Sequence, residues 1–293
     1  MGQKIKYWII ASRPKTLTAG VSPVIVGTAL ASNEDNFKWW IFFSAMMCAF
    51  LLQIATNLVN DYFDAINKVD GENRLGPTRV TQTGLLSYNE VKYGFGLCFI
   101  LALIIGIPLV LRGGVPIIII GITAIITAYL YTGGPYPLSY YGLGEILAFI
   151  FFGIIAVCGT YYLHTFSVSF EVILLSFGLG FLSALMMSIN NLRDIATDVS
   201  TGKKTIALML GEKKARWFSF YLMILSALIP LIYVFYTMSH YIIIFSSLSA
   251  LLFKKSWMKI LNDPIDSTFN DILADSGKFL LIYSVFLSVG LIL

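Results

Sequence analysis

Two short stretches place carboxylates and carboxamides together where an apolar run ends. The first is Asn57-Leu-Val-Asn60-Asp61-Tyr-Phe-Asp64, with Asp70 further on, and the second is Asn190-Asn191-Leu-Arg193-Asp194-Ile-Ala-Thr-Asp198. An unpaired carboxylate beside hydrocarbon carries a large desolvation penalty, so these acids are expected to face the interior of a bundle and to meet a cation. On a helix, Asn57, Asn60, Asp61 and Asp64 share one face, and Asn190, Asp194 and Asp198 recur every fourth residue. The donors are all oxygens, with no His or Cys among them, which suits Mg²⁺ rather than zinc or copper. Two such clusters facing one cavity would make a good cage for Mg²⁺ bound to a phosphorylated substrate. Arg79, Lys203 and Arg74 would neutralise the phosphate oxygens that the metal leaves uncovered. A site of this kind stabilises charge building on a diphosphate leaving group. The alternative chemistry for intramembrane acids is a proton or sodium relay in a cation-coupled transporter.

Other reactive types narrow the choice. His164 and His240 both fall at the far ends of apolar runs, so a histidine base at the acidic clusters is not expected. A proton acceptor must then be a carboxylate, the leaving group, water or the substrate itself. The segment from Tyr129 to Gly142, with Tyr131 and Tyr136 around Gly133-Gly134-Pro135, combines turn formers with tyrosines. Its rings could screen a developing carbocation and the loop could cap the site; an interfacial aromatic belt is the other reading. Gly-x-Gly at 94–96, 142–144 and 178–180 reads as close helix contacts, not a nucleotide loop. Cys48, Cys98 and Cys158 lie far apart inside apolar runs and read as inert thiols.

The elements that must position these groups are membrane helices. The chain of 293 residues is 57% hydrophobic and 12% charged, with a mean hydropathy of +0.80. A soluble domain carries about a quarter charged residues. Apolar runs at 18–32, 38–60, 93–111, 115–132, 145–163, 171–192, 216–237, 240–258 and 276–293 predict an all-α fold of nine transmembrane helices around a central cavity, in one domain spanning 1–293. Residues 3–17 are amphipathic and basic, as expected of a surface helix, and no cleaved signal peptide is expected. With the N-terminus inside, 18 of the 20 Lys and Arg residues fall on the cytoplasmic side, leaving Lys38 and Arg112 outside. Both acidic clusters and the long connections then open to the cytoplasm, as a multi-pass protein of the plasma membrane. The spacing of Asn57/Asp61 to Asn190/Asp194, four helices apart, is that of a parallel internal repeat. No basic block with interleaved aromatics points to nucleic acid.

These residues resemble the UbiA superfamily of intramembrane prenyltransferases, which carries two Asp-rich motifs at the ends of helices 2 and 6 of a nine-helix bundle. Asn60-Asp-Tyr-Phe-Asp64, Arg79-Val-Thr-Gln-Thr-Gly84, Tyr131-Thr-Gly-Gly-Pro-Tyr-Pro137, Gly144-Glu145, and Asn190-Asn-Leu-Arg-Asp194 with Gly202-Lys-Lys-Thr205 are similar to the branch acting on 1,4-dihydroxy-2-naphthoate. A strict repeat would place an acid at Ala65, so Asp64 and Asp70 share that role. The resemblance implies Mg²⁺-dependent transfer of a polyprenyl group from polyprenyl diphosphate to 1,4-dihydroxy-2-naphthoate, with loss of CO₂, giving a demethylmenaquinone. It implies a Mg²⁺ site of Asn57, Asp61, Asp64, Asn190, Asp194 and Asp198, catalytic roles for Asp61, Asp64, Asp194 and Asp198, and substrate contacts from Arg74, Arg79, Tyr131, Tyr136 and Lys203. Another aromatic or quinone-precursor acceptor is the alternative within the same chemistry.

Overall fold

The computed structural model describes residues 2–32, 37–67 and 75–293, and no strand occurs among the described residues. Helix α1 (Gly2–Ser12) buries only Ala11, as its amphipathic sequence requires. Arg13, held at φ 49°, and a 3-10 turn at Pro14–Thr16 lead into α2 (Leu17–Leu30). The long helices α3 (Trp39–Ile66), α4 (Tyr88–Gly113), α5 (Val115–Leu130), α6 (Gly144–Thr165) and α7 (Phe170–Arg193) follow. Short helices α8 (Ile195–Thr201) and α9 (Ile206–Leu210) connect to α10 (Glu212–Thr237). The chain finishes with α11 (Ile244–Leu248), α12 (Lys254–Asn262) and α13 (Phe269–Ile292).

Local chemistry sets several of these boundaries. Ser87 and Glu90 form a capping box that starts α4, the serine hydroxyl accepting from the Glu90 N–H and the glutamate from the Ser87 N–H. Gly114, at φ 64°, reverses the chain between α4 and α5 in a single residue, a conformation closed to most side chains. Among the described residues six helices, α3, α4, α6, α7, α10 and α13, are long and apolar enough to cross a bilayer, which makes this a multi-span membrane protein.

Three of the nine apolar runs take a different form. Helix α2 has 14 residues and contains Pro23. That length rises about 21 Å, short of a hydrocarbon core about 30 Å thick. Helix α5 has 16 residues. The run at 240–258 breaks into a 3-10 turn at Tyr241–Ile243, α11, a second 3-10 segment at Ser249–Phe253, and α12. Helix α12 buries Ser256, Trp257 and Ile260 and exposes Lys254, Lys255 and Lys259, the pattern of a helix lying on a surface.

Helix α3 pairs with α4, and α5 leans on both; α7 pairs with α10, and α13 packs on α2 and α7. Helices α2 and α6 join the two groups. One apolar cluster runs through α2, α6, α7, α10 and α13 around Val26, Leu175, Leu182 and Phe279. A second lies beneath α1 and takes in Val80 and Leu86 of the loop that follows the first acidic motif. At the opposite end Arg112 donates to the carbonyls of Leu163 and His164, and the Lys38 N–H donates to His164 Nδ1 at 3.3 Å. His240 lies against the Gly290 carbonyl, so both histidines are remote from the acids.

Helix α6 contains a π-helical segment, Phe149–Ile155, which widens the helix where it meets α7. Gly153 and Gly180 make that meeting possible. A Cβ on Gly153 would stand 2.5 Å from the Gly180 Cα, and one on Gly180 would stand 2.9 Å from the Phe149 carbonyl oxygen. Gly94, Gly144 and Gly178 are likewise close to Trp8, Tyr131 and Tyr283, whereas Gly96 faces open space and Gly142 occupies a left-handed turn at φ 69°. A Cβ on Gly142 would also stand 2.9 Å from the Lys204 carbonyl oxygen, so five of these six glycines are closely packed, and the four of those five on helices meet the close-helix-contact reading. Gly153→Ala is expected to destabilise the protein by about 1–3 kcal/mol through overpacking. Gly96→Ala should be neutral or stabilising by about 0.5–1 kcal/mol, since Ala is the better helix former. Thermal unfolding of both variants in detergent checks the contrast.

Candidate active site

A cavity of about 440 Å³ lies between the two helix groups. Its wall on α3 is the stripe Ala45, Ala49, Gln53, Asn57, Asn60 and Asp64, spaced three to four residues apart. From Ala45 to Asp64 that stripe rises about 28 Å, so the cavity runs through most of the depth of the bundle. Its charged residues gather at one end only. Toward the opposite end the lining is Leu109, Ile117, Ile120, Ile155 and Leu163, with Phe151 from the π-helical segment between.

Eight of the residues singled out in the sequence line this one cavity: Asn57, Asp64 and Arg79 from the first motif and its loop, Tyr131 after α5, and Asn190, Asp194, Asp198 and Lys203 from the second motif. The two motifs reach it differently. Helix α3 continues unbroken past Asp64, whereas α7 stops at Arg193 and Asp194 is the junction from which α8 starts and carries Asp198.

Each lining carboxylate has a cation beside it. Asp64 is paired with Arg79, both nearly excluded from solvent. Asp194 is held bidentately by Arg193, at 2.8 Å to Nε and 2.7 Å to Nη2. Asp198 stands 3.5 Å from Lys203 Nζ, and that ammonium lies 5.8 Å from the Tyr140 ring. Arg193 is only 2% exposed. It also donates to Asn190 Oδ1 and to Asn270 Oδ1, both at 2.9 Å, and Asn270 in turn donates to the Leu75 carbonyl at 2.7 Å. One buried guanidinium therefore links the second motif, the start of α13 and the loop after the first motif.

Asp61 has a separate place. It is 1% exposed and does not line the cavity. Its two oxygens accept the backbone N–H groups of Val80 and Thr81, both at 3.1 Å. It thus anchors the residues next to Arg79. Tyr136 also stays out of the cavity, 74% exposed on the loop surface. Asp70 and Arg74 lie outside the described residues. The loop from 133 to 144 bridges the motifs: Gly133 packs against Phe63, and the Lys204 N–H donates to the Tyr140 carbonyl at 3.0 Å.

The carboxamides divide by what they offer the cavity. Arginine N–H groups only donate, and backbone carbonyls only accept, so their partners fix the amide orientation. Asn57 Nδ2 donates to the Ser12 carbonyl at 2.9 Å, which turns its oxygen toward the cavity. Asn190 gives its oxygen to Arg193, so the group it presents is N–H₂. Asn60 Oδ1 accepts from Thr132 at 2.7 Å.

Among the described residues, no group of three or more His, Cys, Asp or Glu side chains converges closely enough to hold a metal by itself. The donor chemistry nonetheless fits a hard cation, since Asn57, Asp64, Asp194 and Asp198 supply oxygen only to one cavity end. Sequence reasoning gave no role to Arg193, Glu145 or Asn270. Glu145 carried a usable signal, an acid opening an apolar run. Asn270 carried none, because its partners are 77 and 195 residues away.

The sequence pattern of the UbiA prenyltransferase family matches residues 20–269. The 1,4-dihydroxy-2-naphthoate octaprenyltransferase of Haemophilus influenzae is 33% identical over 301 aligned positions, which cover 100% of this chain and 98% of that protein. The enzyme of the same name from Escherichia coli is 39% identical over 215 positions, 71% of this chain and 70% of its own. The solved structure of a UbiA homolog from Archaeoglobus fulgidus bound to DMAPP and Mg²⁺ shares the fold, with a TM-score of 0.66 at 14% identity over 97% and 98% of the two chains. These likenesses set the transporter alternative aside. The chain belongs to the UbiA prenyltransferase family, and it is a prenyltransferase.

Proposed function

We propose that this protein transfers a polyprenyl group from polyprenyl diphosphate to 1,4-dihydroxy-2-naphthoate with release of CO₂. The observation that carries the reading is full-length similarity to an enzyme of that name, joined to a cavity charged at one end and mostly apolar along the rest. The distribution of Lys and Arg supports placing the polar end toward the cytoplasm; nine crossings of the plasma membrane would require the short α2 and α5 and the broken 240–258 run to span it beside the six long helices.

The diphosphate would lie between Arg79 and Lys203, whose present partners, Asp64 and Asp198, are carboxylates that can exchange for phosphate oxygens. The N–H₂ group of Asn190 is oriented to donate to the same anion. Oxygens of Asn57, Asp64, Asp194 and Asp198 would hold Mg²⁺, which when bound neutralises charge on the departing diphosphate. Arg193 keeps Asp194 in place and limits the repulsion between acids before substrate arrives. Asp61 positions the loop that bears Arg79.

The carbon–oxygen bond of the prenyl diphosphate breaks with its electron pair going to the diphosphate. Tyr131 and the 133–144 loop shield the allylic cation from water, and the apolar length of the cavity takes the isoprenoid tail toward lipid. The electron-rich ring forms the new carbon–carbon bond. The carboxylate leaves as CO₂ and its bonding pair returns to the ring, so the first product is the quinol form of demethylmenaquinone. Another aromatic acceptor would form the new bond at a C–H carbon and lose that proton to the departed diphosphate in place of CO₂, the C–H bonding pair returning to the ring.

Purified protein with Mg²⁺, a polyprenyl diphosphate and 1,4-dihydroxy-2-naphthoate should give prenylated product and CO₂ in equal amounts. Chelation should abolish both and added Mg²⁺ should restore them. Transfer to other acceptors alone would keep the prenyl chemistry and discard this acceptor.

The two acids of the first motif should separate in kinetics. Asp64→Asn is expected to lower kcat by about 10²–10³-fold, the loss of one electrostatic stabiliser of the leaving group. Asp61→Asn replaces an acceptor of two backbone N–H groups. It should raise KM for the diphosphate and cost about 1–3 kcal/mol of stability. Equal affinity of the Asp61→Asn variant and wild type for Mn²⁺ is expected. A large loss of Mn²⁺ binding would make Asp61 a metal ligand.

A further inference from the structure

Glu145 and Asn191 form a buried pair that the mechanism above does not use. Glu145, in the first turn of α6, is 3% exposed, and Asn191, near the end of α7, is 8% exposed and lines the cavity. Asn191 Nδ2 donates to Glu145 Oε1 at 3.0 Å. The other glutamate oxygen, Oε2, is buried and has no hydrogen-bond partner. Burying a carboxyl group with one oxygen unsatisfied is costly, and an apolar side chain would fill the same space without that cost. What the glutamate supplies is direction: its Oε1 accepts the Asn191 N–H₂, which leaves the amide oxygen to the cavity.

The Asn191 amide shares the cavity with a wall of a different chemistry. One turn earlier on α7, Met187 meets the Tyr131 hydroxyl at 3.3 Å. Facing them is Gly144, where a Cβ would stand 2.8 Å from the Tyr131 hydroxyl and 3.2 Å from Met187 Cγ. Tyr131, Met187 and Gly144 all line the cavity that Asn191 lines, so one turn of α7 away from the amide the wall is made of an aromatic ring, a thioether and bare backbone. A wall of that kind suits the face of a flat ring, and the lone acceptor suits a hydroxyl on its edge.

We propose that Asn191 reads a ring hydroxyl of the aromatic acceptor, and that Glu145 is the positioning residue that keeps the amide oxygen turned toward it. The inference rests on the acceptor being a hydroxylated aromatic, as in the proposed function. Loss of the directing carboxylate in Glu145→Gln lets position 145 offer its own N–H₂, so the Asn191 amide is free to turn over.

The test is steady-state kinetics of wild type, Glu145→Gln, Asn191→Ala and the double variant, using 1,4-dihydroxy-2-naphthoate and its monomethyl ethers, with Mn²⁺ binding measured in parallel. Each single variant is expected to lose about ten-fold in kcat/KM for the dihydroxy acceptor, as for one hydrogen bond at a buried site. Discrimination against one of the two monomethyl ethers should fall by a similar factor, with KM for the prenyl diphosphate and Mn²⁺ affinity unchanged. Because Glu145 acts through Asn191, the double variant should be no worse than Asn191→Ala. Unchanged acceptor kinetics in a wild type that turns over would overturn this inference alone. So would a loss of Mn²⁺ affinity in Asn191→Ala, which would make the amide oxygen a metal ligand. A folded wild type that prenylates no hydroxylated aromatic overturns the functional reading and this inference with it.

Discussion

Burial of carboxylates at the end of an apolar bundle governs this structure, because an isolated charge there is too costly to keep. The chain meets the constraint by giving each acid its own donor. Asp64 has Arg79, Asp194 has Arg193, Asp198 has Lys203, and Asp61 has two backbone N–H groups. Removing one member of such a buried pair strands the other, at a cost of about 3–5 kcal/mol. The acids are therefore fixed in place before any ligand arrives, and the cations that hold two of them can also hold an anion.

The same arrangement explains how residues remote in sequence come to one cavity end. Arg193 ties Asn190, Asp194 and Asn270 together, and Asn270 reaches the Leu75 carbonyl in the loop that leads to Arg79. Asp61 holds that loop from its other side. Asn57 fastens the corner between α1 and α2 through Ser12 and Thr16. The polar end is in this way a set of interlocked loops over helix ends, while below it the helices pack through apolar side chains and glycines.

That division suits a reaction with one charged and one greasy partner. A diphosphate needs cations and hydrogen-bond donors, and an isoprenoid tail needs only a dry channel. The cavity provides the first where α3, α7 and α8 end and the second along α3, α5 and α6. The π-helical segment of α6 belongs to the channel, since it brings Phe151 and Ile155 to the wall while Gly153 keeps α6 against Gly180.

Much of this was legible in the residues themselves. Long apolar runs can be satisfied in a membrane only as helices, so the all-α fold and most helix positions follow from hydropathy. Acids at the ends of such runs mark a site because nothing else justifies their cost, and eight of the residues chosen on that basis and by resemblance line the cavity. The sequence could not divide labour within a motif. Asp61 and Asp64 share a helical face, yet only Asp64 lines the cavity, because the loop at 79–81 folds back over Asp61. Nor could it orient an amide: Asn57 and Asn190 look equivalent, but one presents oxygen and the other N–H₂, according to partners on other segments. Composition and periodicity determine which surfaces must be buried and which groups must be compensated. The identity of each compensating partner, set by contacts across tens to hundreds of residues, was decided only by the tertiary structure.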